Sequence, residues 1–213
     1  MNLRDKSTIL IYGGTFDPPH VAHVILPMLA MEVIGADCVA YIPAAQAPHK
    51  QRGTQTDVKH RLAMLKLALA ETRFATILMD EMDRAAMTGD PSYTVDTLEG
   101  IRARIGPGPV LRLLIGADML RIFDTWKEPA RIVELAEPVV MVRPPDSRAS
   151  LLAALPKGFN KEEWASRLVD QPLLHMSATM IRERVARGLP ISGFVHPAVE
   201  RYIVQQGLYA LQA

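Results

Sequence analysis

Apolar residues along the chain fall into short unbroken runs separated by longer stretches with helical spacing. Thr8–Tyr12 is a β-rich apolar run ended by Gly13 and Gly14, and Cys38–Ile42 is a second, ended by Pro43. Thr76–Met79, Val110–Ile115 and Pro138–Val142 read as three more strands. Runs that are apolar at nearly every position, rather than at alternate ones, predict strands covered on both faces. Between them, Val21–Gly35, Asp57–Glu71 and Thr94–Ile105 read as helices, the second with Leu62, Leu65 and Leu69 on one side. Pro27 lies inside the first, where it removes the hydrogen bond to the His23 carbonyl and predicts a kink. Gly106-Pro107-Gly108-Pro109 closes the third.

After Val142 the pattern weakens. Pro144-Pro145-Asp146-Ser147 is a turn, the segment around Trp164 predicts a peripheral helical insert, and Leu173–Met176 predicts a last short strand. Ser177 then caps a helix running to Arg187, with Gly188 just beyond it, and His196–Gln206 is a final amphipathic helix. Strands alternating with helices predict an α/β fold with a mostly parallel sheet and helices on both faces. Such sheets bind ligands at the carboxyl ends of their strands, near the switch in strand order. The candidate residues are therefore Gly13–His23, Pro43–Lys50, Gly116–Asp118 and Arg143.

Composition narrows the class without naming a ligand. The 213 residues are 49% hydrophobic and 22% charged, which excludes a disordered, collagen-like or disulfide-scaffold chain. With 24 Lys and Arg against 23 Asp and Glu, the net charge of +1 gives no support for a nucleic-acid partner. Cys38 is the only cysteine, so no intrachain disulfide can form and a cytoplasmic location is expected. No signal-peptide pattern is evident, and the apolar stretch Val24–Met31 is too short to span a membrane, so no membrane partner is expected.

The chemistry concentrates in two places. Gly13-Gly14-Thr15-Phe16-Asp17-Pro18-Pro19-His20-Val21-Ala22-His23 joins the first strand to the first helix. Paired glycines allow close backbone approach, and the free N–H groups of a helix start suit phosphate. His20 and His23, three residues apart, face one way on the first turn and can donate to phosphate oxygens. The loop is neither G-x-x-x-x-G-K-[ST] nor G-x-G-x-x-G. A tight turn carrying two surface histidines accounts for the glycine pair equally well, and a His-x-x-His metal site lacks further ligands. Far along the chain, Met176-Ser177-Ala178-Thr179-Met180-Ile181-Arg182 places two hydroxyls and an arginine at a helix start, either a second anion site or an ordinary capped helix with a solvated basic face.

Taken whole, the first loop resembles the signature G-G-x-F-D-P-x-H-x-G-H of the nucleotidyltransferases related to class I aminoacyl-tRNA synthetases. Ala22 stands where that family usually has Gly. The second segment resembles its I-S-S-T-x-I-R motif, with Ala178 for the middle Ser and Met176 for Ile. Further segments resemble the bacterial nicotinate mononucleotide adenylyltransferases: Ile42–Lys50 ending in Pro-His-Lys, His60–Leu65, Ser92–Leu98, Leu114–Asp118 followed by Trp126, Val142–Pro144 and Val195–Tyr202. The region Asp146–Asp170 is the least constrained.

The resemblance implies one Rossmann-like nucleotidyltransferase domain over 1–213, with a C-terminal helical part from about 177–213 completing the ATP site. It implies adenylyl transfer from ATP to nicotinate mononucleotide, giving nicotinate adenine dinucleotide and pyrophosphate in NAD biosynthesis. His20, His23 and Arg182 would act at the phosphates. ATP would meet Gly13, Gly14, Thr15, Phe16, His20, His23, Gly116, Asp118, Ser177, Thr179 and Arg182. The mononucleotide would meet Thr15, Lys50, Tyr93, Thr94, Asp118, Trp126 and Arg143. Mg²⁺ would be held by phosphates and water rather than by protein side chains. Read from the residues alone, Trp126 could be core, Lys50 a solvated lysine and Asp118 a helix N-cap. Alternatives within the fold are a preference for nicotinamide mononucleotide or phosphopantetheine, or a non-catalytic nucleotide sensor. Homo-oligomerisation stays open, His49, His60, His175 and His196 read as structural, and Met28, Met31 and Met64 read as core.

Overall fold

The computed structural model describes residues 1–45, 56–88, 93–156 and 158–210. Six strands form one sheet in the order β3-β2-β1-β4-β5-β6. They are β1 (Thr8–Gly14), β2 (Cys38–Pro43), β3 (Ala75–Ile77), β4 (Val110–Gly116), β5 (Glu137–Val142) and β6 (Leu168–Asp170). Every neighbouring pair is parallel. The order reverses between β1 and β4, so the crevice where a ligand sits in such a sheet opens at Gly13–Gly14 and Gly116.

The helices are α1 (Ala22–Ile34), α2 (Val58–Ala68), α3 (Asp80–Thr88), α4 (Thr94–Ile105), α5 (Ala117–Leu120), α6 (Pro129–Leu135), α7 (Arg148–Ala153), α8 (Lys161–Ser166), α9 (Ala178–Ala186) and α10 (Pro197–Gln205). Alternation along the strands sorts side chains between two apolar layers. Ile9 and Ile11 of β1, with Leu113 and Ile115 of β4, pack against Leu98 and Ile101 of α4 and Ile132 of α6. Leu10, Val39, Tyr41 and Leu114 face the other way, onto Ala22, Leu26 and Ala30 of α1 and Leu65 of α2. Strands buried on both faces explain why the apolar runs show no polar alternation. A third cluster docks the C-terminal helices onto α2 through Met64, Ile181, Ile191, Val199 and Ile203. Ser177 caps α9 by accepting from the Met180 amide, and Gly188 beyond it has φ of +66°.

Two expectations change, and one element is new. The last strand is Leu168–Asp170, paired with β5, and not Leu173–Met176; Leu173 is exposed. Trp164 is not peripheral: its side chain is buried among Phe123 and Phe159, with ring centroids 5.6 and 5.2 Å away. Helix α3 has no counterpart among the helices expected from the apolar pattern. Among the described residues, no helix is long and apolar enough to cross a membrane.

Candidate active site

The glycine loop leaves β1 and is held from below by aromatic packing. A Cβ on Gly14 would lie 2.9 Å from the Phe16 ring, so only glycine fits there. Phe16 itself has φ of +51° and is 1% exposed, packed with Tyr12 and Tyr41 beneath the loop. The Phe16 side chain, expected to meet ATP, is buried beneath the loop and against the His23 ring. The Ala22 methyl also points into the core formed with Leu26 and Phe16.

His20 and His23 stack, with ring centroids 3.7 Å apart. The His20 amide donates to His23 Nδ1 at 3.2 Å. A neutral His23 ring therefore carries its proton on Nε2, as a donor. Phe16 meets His23 edge-on at 5.2 Å. Burial, followed by the positive charge of Arg143, lowers the His20 pKa to about 4. His23 is pushed well below its ordinary range by burial, then by His20 and Arg143. Both rings are neutral at pH 7. The arrangement can donate hydrogen bonds to anionic oxygens, but its resting charge comes from arginine.

The two remote motifs meet. Arg182 on α9 donates through Nη1 to the Asp17 carbonyl at 2.7 Å and through Nη2 to Thr179 Oγ1 at 3.1 Å. Ser177 and Thr179 are exposed at the start of the same helix. Across the crevice, Gly116 ends β4, and a Cβ on it would collide with Asp118 Oδ1. Gly116 thus makes room for a carboxylate folded back over the strand end. The N-cap of α5 is Gly116, with no side-chain cap bond, so Asp118 is not the cap. Asp118, Arg143, Leu173, His175 and Met176 line a cleft of about 290 Å³ just beyond the ends of β4 and β5. His175, read as structural, belongs to this lining. His60 and His196 are structural, bonding Tyr202 and capping α10.

Tyr93 and Thr94 stand at the start of α4, and Trp126 packs against the apolar layer that includes α4. Tyr93 precedes the helix without a side-chain cap bond, and Thr94 is its first residue. Trp126 packs on Phe123 at 5.2 Å, with a buried Nε1 that lacks a partner among the described residues. Lys127, next to Trp126, lies 5.0 Å from the Tyr93 ring centroid and pairs with Asp96. Lys50 lies outside the described residues. Among those described, no group of three or more His, Cys, Asp or Glu is placed to hold a metal.

Two supporting residues escape a reading of the sequence. Arg61 of α2 is 1% exposed and donates to the carbonyls of Thr15, Ala44, Ala45 and Thr56, at 2.7 to 3.0 Å. Buried Asp17 accepts from the Tyr209 hydroxyl at 2.6 Å and from the Thr56 amide at 3.1 Å. Between them they tie the glycine loop to β2, α2 and the C-terminal tail. The hints are the place of Asp17 in the loop signature and an arginine within the apolar helix 58–68, where Met64 and Leu65 follow at i+3 and i+4.

Residues 11–184 match the cytidylyltransferase-like family. The chain is 36% identical to a protein named "Probable nicotinate-nucleotide adenylyltransferase" of Chromobacterium violaceum, over 93% of this chain and 97% of that one. It is 32% identical to the nicotinate-nucleotide adenylyltransferase of Bacillus subtilis, over 93% and 96%. The structure of Plasmodium falciparum nicotinic acid mononucleotide adenylyltransferase complexed with NaAD superposes with a TM-score of 0.71, at 20% identity, over 95% of this chain and 97% of that one. That likeness bears on the fold. With both motifs, the switch-point crevice and the neutral histidine pair in place, the chain belongs to the cytidylyltransferase-like family and, within it, to the nicotinate-nucleotide adenylyltransferases.

Proposed function

We propose that the protein transfers the adenylyl group of ATP, taken as its magnesium complex, to nicotinate mononucleotide. A phosphate oxygen of the mononucleotide forms a bond to the α-phosphorus while the bond to the β-phosphate oxygen breaks, releasing pyrophosphate. No side chain needs to become a nucleophile. Catalysis rests on in-line positioning and on donors aimed at charge developing on the phosphates. The observation that carries this reading is the stacked pair His20–His23 on the glycine loop whose Asp17 carbonyl Arg182 holds.

His23 Nε2–H and the His20 ring serve the phosphates as neutral donors. Arg182, Ser177 and Thr179 hold the leaving pyrophosphate, and Arg143 adds positive charge within electrostatic reach of both rings. Gly13, Gly14 and Thr15 line the path between the two substrates, and Gly116 with Asp118 receives sugar hydroxyls. The part beyond residue 177 completes the ATP side. The mononucleotide phosphate falls to Thr15 and Lys50, with Tyr93 and Trp126 as walls for the pyridine ring. The start of α4, where Tyr93 supplies no side-chain acceptor, offers amides at Thr94 to a carboxylate. This supports nicotinate over nicotinamide. The lone buried Cys38 fits a cytoplasmic location. Comparing kcat/KM for nicotinate and nicotinamide mononucleotide tests the acid preference: equal values would remove the role given to the start of α4.

A further inference from the structure

Proline inside α1 strands an acceptor one turn earlier. Pro27 has no N–H, so the His23 carbonyl, which an ordinary residue 27 would satisfy, has no partner within the helix. An unpaired buried carbonyl would turn toward water and drag the first turn of the helix with it. That turn carries His23, the second residue of α1. The structure supplies a substitute from another element. Tyr41 of β2, 0% exposed, donates its hydroxyl to the His23 carbonyl at 3.0 Å. Its ring lies beneath the same loop, 5.7 Å from Tyr12 and 5.9 Å from Phe16, and those two rings in turn contact His23.

We infer that Tyr41 is a positioning residue for His23, and that its role exists because of Pro27. The proline releases the carbonyl and the tyrosine recaptures it, so the histidine turn is fastened to β2 instead of to its own helix. β1, which carries the glycine loop, is paired with β2 throughout, from Ile9–Cys38 to Gly14–Pro43. Histidine and loop are thereby held in one sheet frame. A merely space-filling tyrosine would give the same benefit as phenylalanine. It would also act independently of residue 27. The inference rests on the adenylyl-transfer reading, and a double-mutant cycle separates the two.

Pyrophosphate release with ATP and nicotinate mononucleotide is measured for the parent, Tyr41→Phe, Pro27→Ala and the double variant. Tyr41→Phe is expected to lower kcat about tenfold, the value of one lost hydrogen bond, with both KM values within about twofold. Pro27→Ala restores an N–H at position 27 and stays close to the parent. The double variant is expected to recover to within about threefold of the parent, because the restored N–H now satisfies the His23 carbonyl. An unchanged kcat in Tyr41→Phe overturns the inference. So does a double variant as slow as Tyr41→Phe, which would mean simple packing. If Tyr41→Phe fails to fold, recovery of folding in the double variant supports the coupling, and failure of both overturns it. An inactive parent refutes the adenylyl-transfer reading instead, while restored folding in the double variant would still report the hydrogen-bond exchange.

Discussion

Arg61→Met tests whether the glycine loop is held by one buried guanidinium. Arg61 donates to four main-chain carbonyls on three segments: Thr15 in the loop, Ala44 and Ala45 after β2, and Thr56 before α2. Burial lowers its pKa, so the protein accepts a desolvation cost to keep the charge there. Each carbonyl left without a donor costs roughly 1–3 kcal/mol, offset in part by relief of that desolvation and by water entering the loosened loop. A net loss of roughly 3–5 kcal/mol is expected, in line with removal of one partner from a buried charged network. Arg61→Lys keeps the charge but replaces the planar fork with a single nitrogen, which cannot span acceptors now served by three separate nitrogens. Its expected loss is roughly 2–3 kcal/mol. Urea unfolding at pH 7 reads both, through the shift in midpoint at constant slope. The folded fraction of either variant should also lose kcat, since the glycine loop is no longer fixed at the Thr15 carbonyl. A loss below about 1 kcal/mol for Arg61→Met, or a lysine variant equal to the parent, would refute the reasoning.

Three further outcomes follow from the site. His23→Ala removes a donor from the reacting phosphates and should cost roughly 10²–10³ in kcat of the folded fraction; turnover near the parent's would exclude His23 from the chemistry. Trp126→Ala should raise KM for the mononucleotide and leave KM for ATP in place, and the reverse pattern would misassign the aromatic wall. His20 is buried neutral with its pKa lowered to about 4, so its contribution to stability is complete above pH 6.5 and is lost as pH falls from 6.5 toward 4. The loss is roughly 3 kcal/mol, and His20→Asn should flatten that part of the urea-stability profile relative to the parent. Identical profiles for the two proteins would contradict the buried neutral state.

Much of the frame is legible in the residues because it follows from burial on both faces of a sheet. Ile9, Ile11, Val39 and Leu114 announce central strands by lying in unbroken apolar runs. At the sheet edge this signal fails. β6 has three residues, and only Leu168 and Val169 are buried, so the neighbouring Leu173–Met176 competes equally well on composition. Helix α3, with Asp80, Glu81 and Asp83 in its first turn and Met82 as its buried residue, offers little apolar pattern to read. The motif residues His20, His23, Ser177 and Arg182 can be found as strand-end and helix-start chemistry, and the structure adds how they meet. What holds them stays hidden. Arg61, Asp17 and Tyr41 act on main-chain carbonyls and amides, and a carbonyl leaves no mark in a sequence. Pro27 hints at the role of Tyr41, by naming the carbonyl it frees.

The most direct test is pyrophosphate release from ATP by the full chain, offered nicotinate mononucleotide, nicotinamide mononucleotide or phosphopantetheine as acceptor. Adenylyl transfer to nicotinate mononucleotide predicts turnover with that acceptor, at a kcat/KM well above that for the amide and with no turnover of phosphopantetheine. Preference for phosphopantetheine, or no release with any acceptor while ATP still binds, would contradict it.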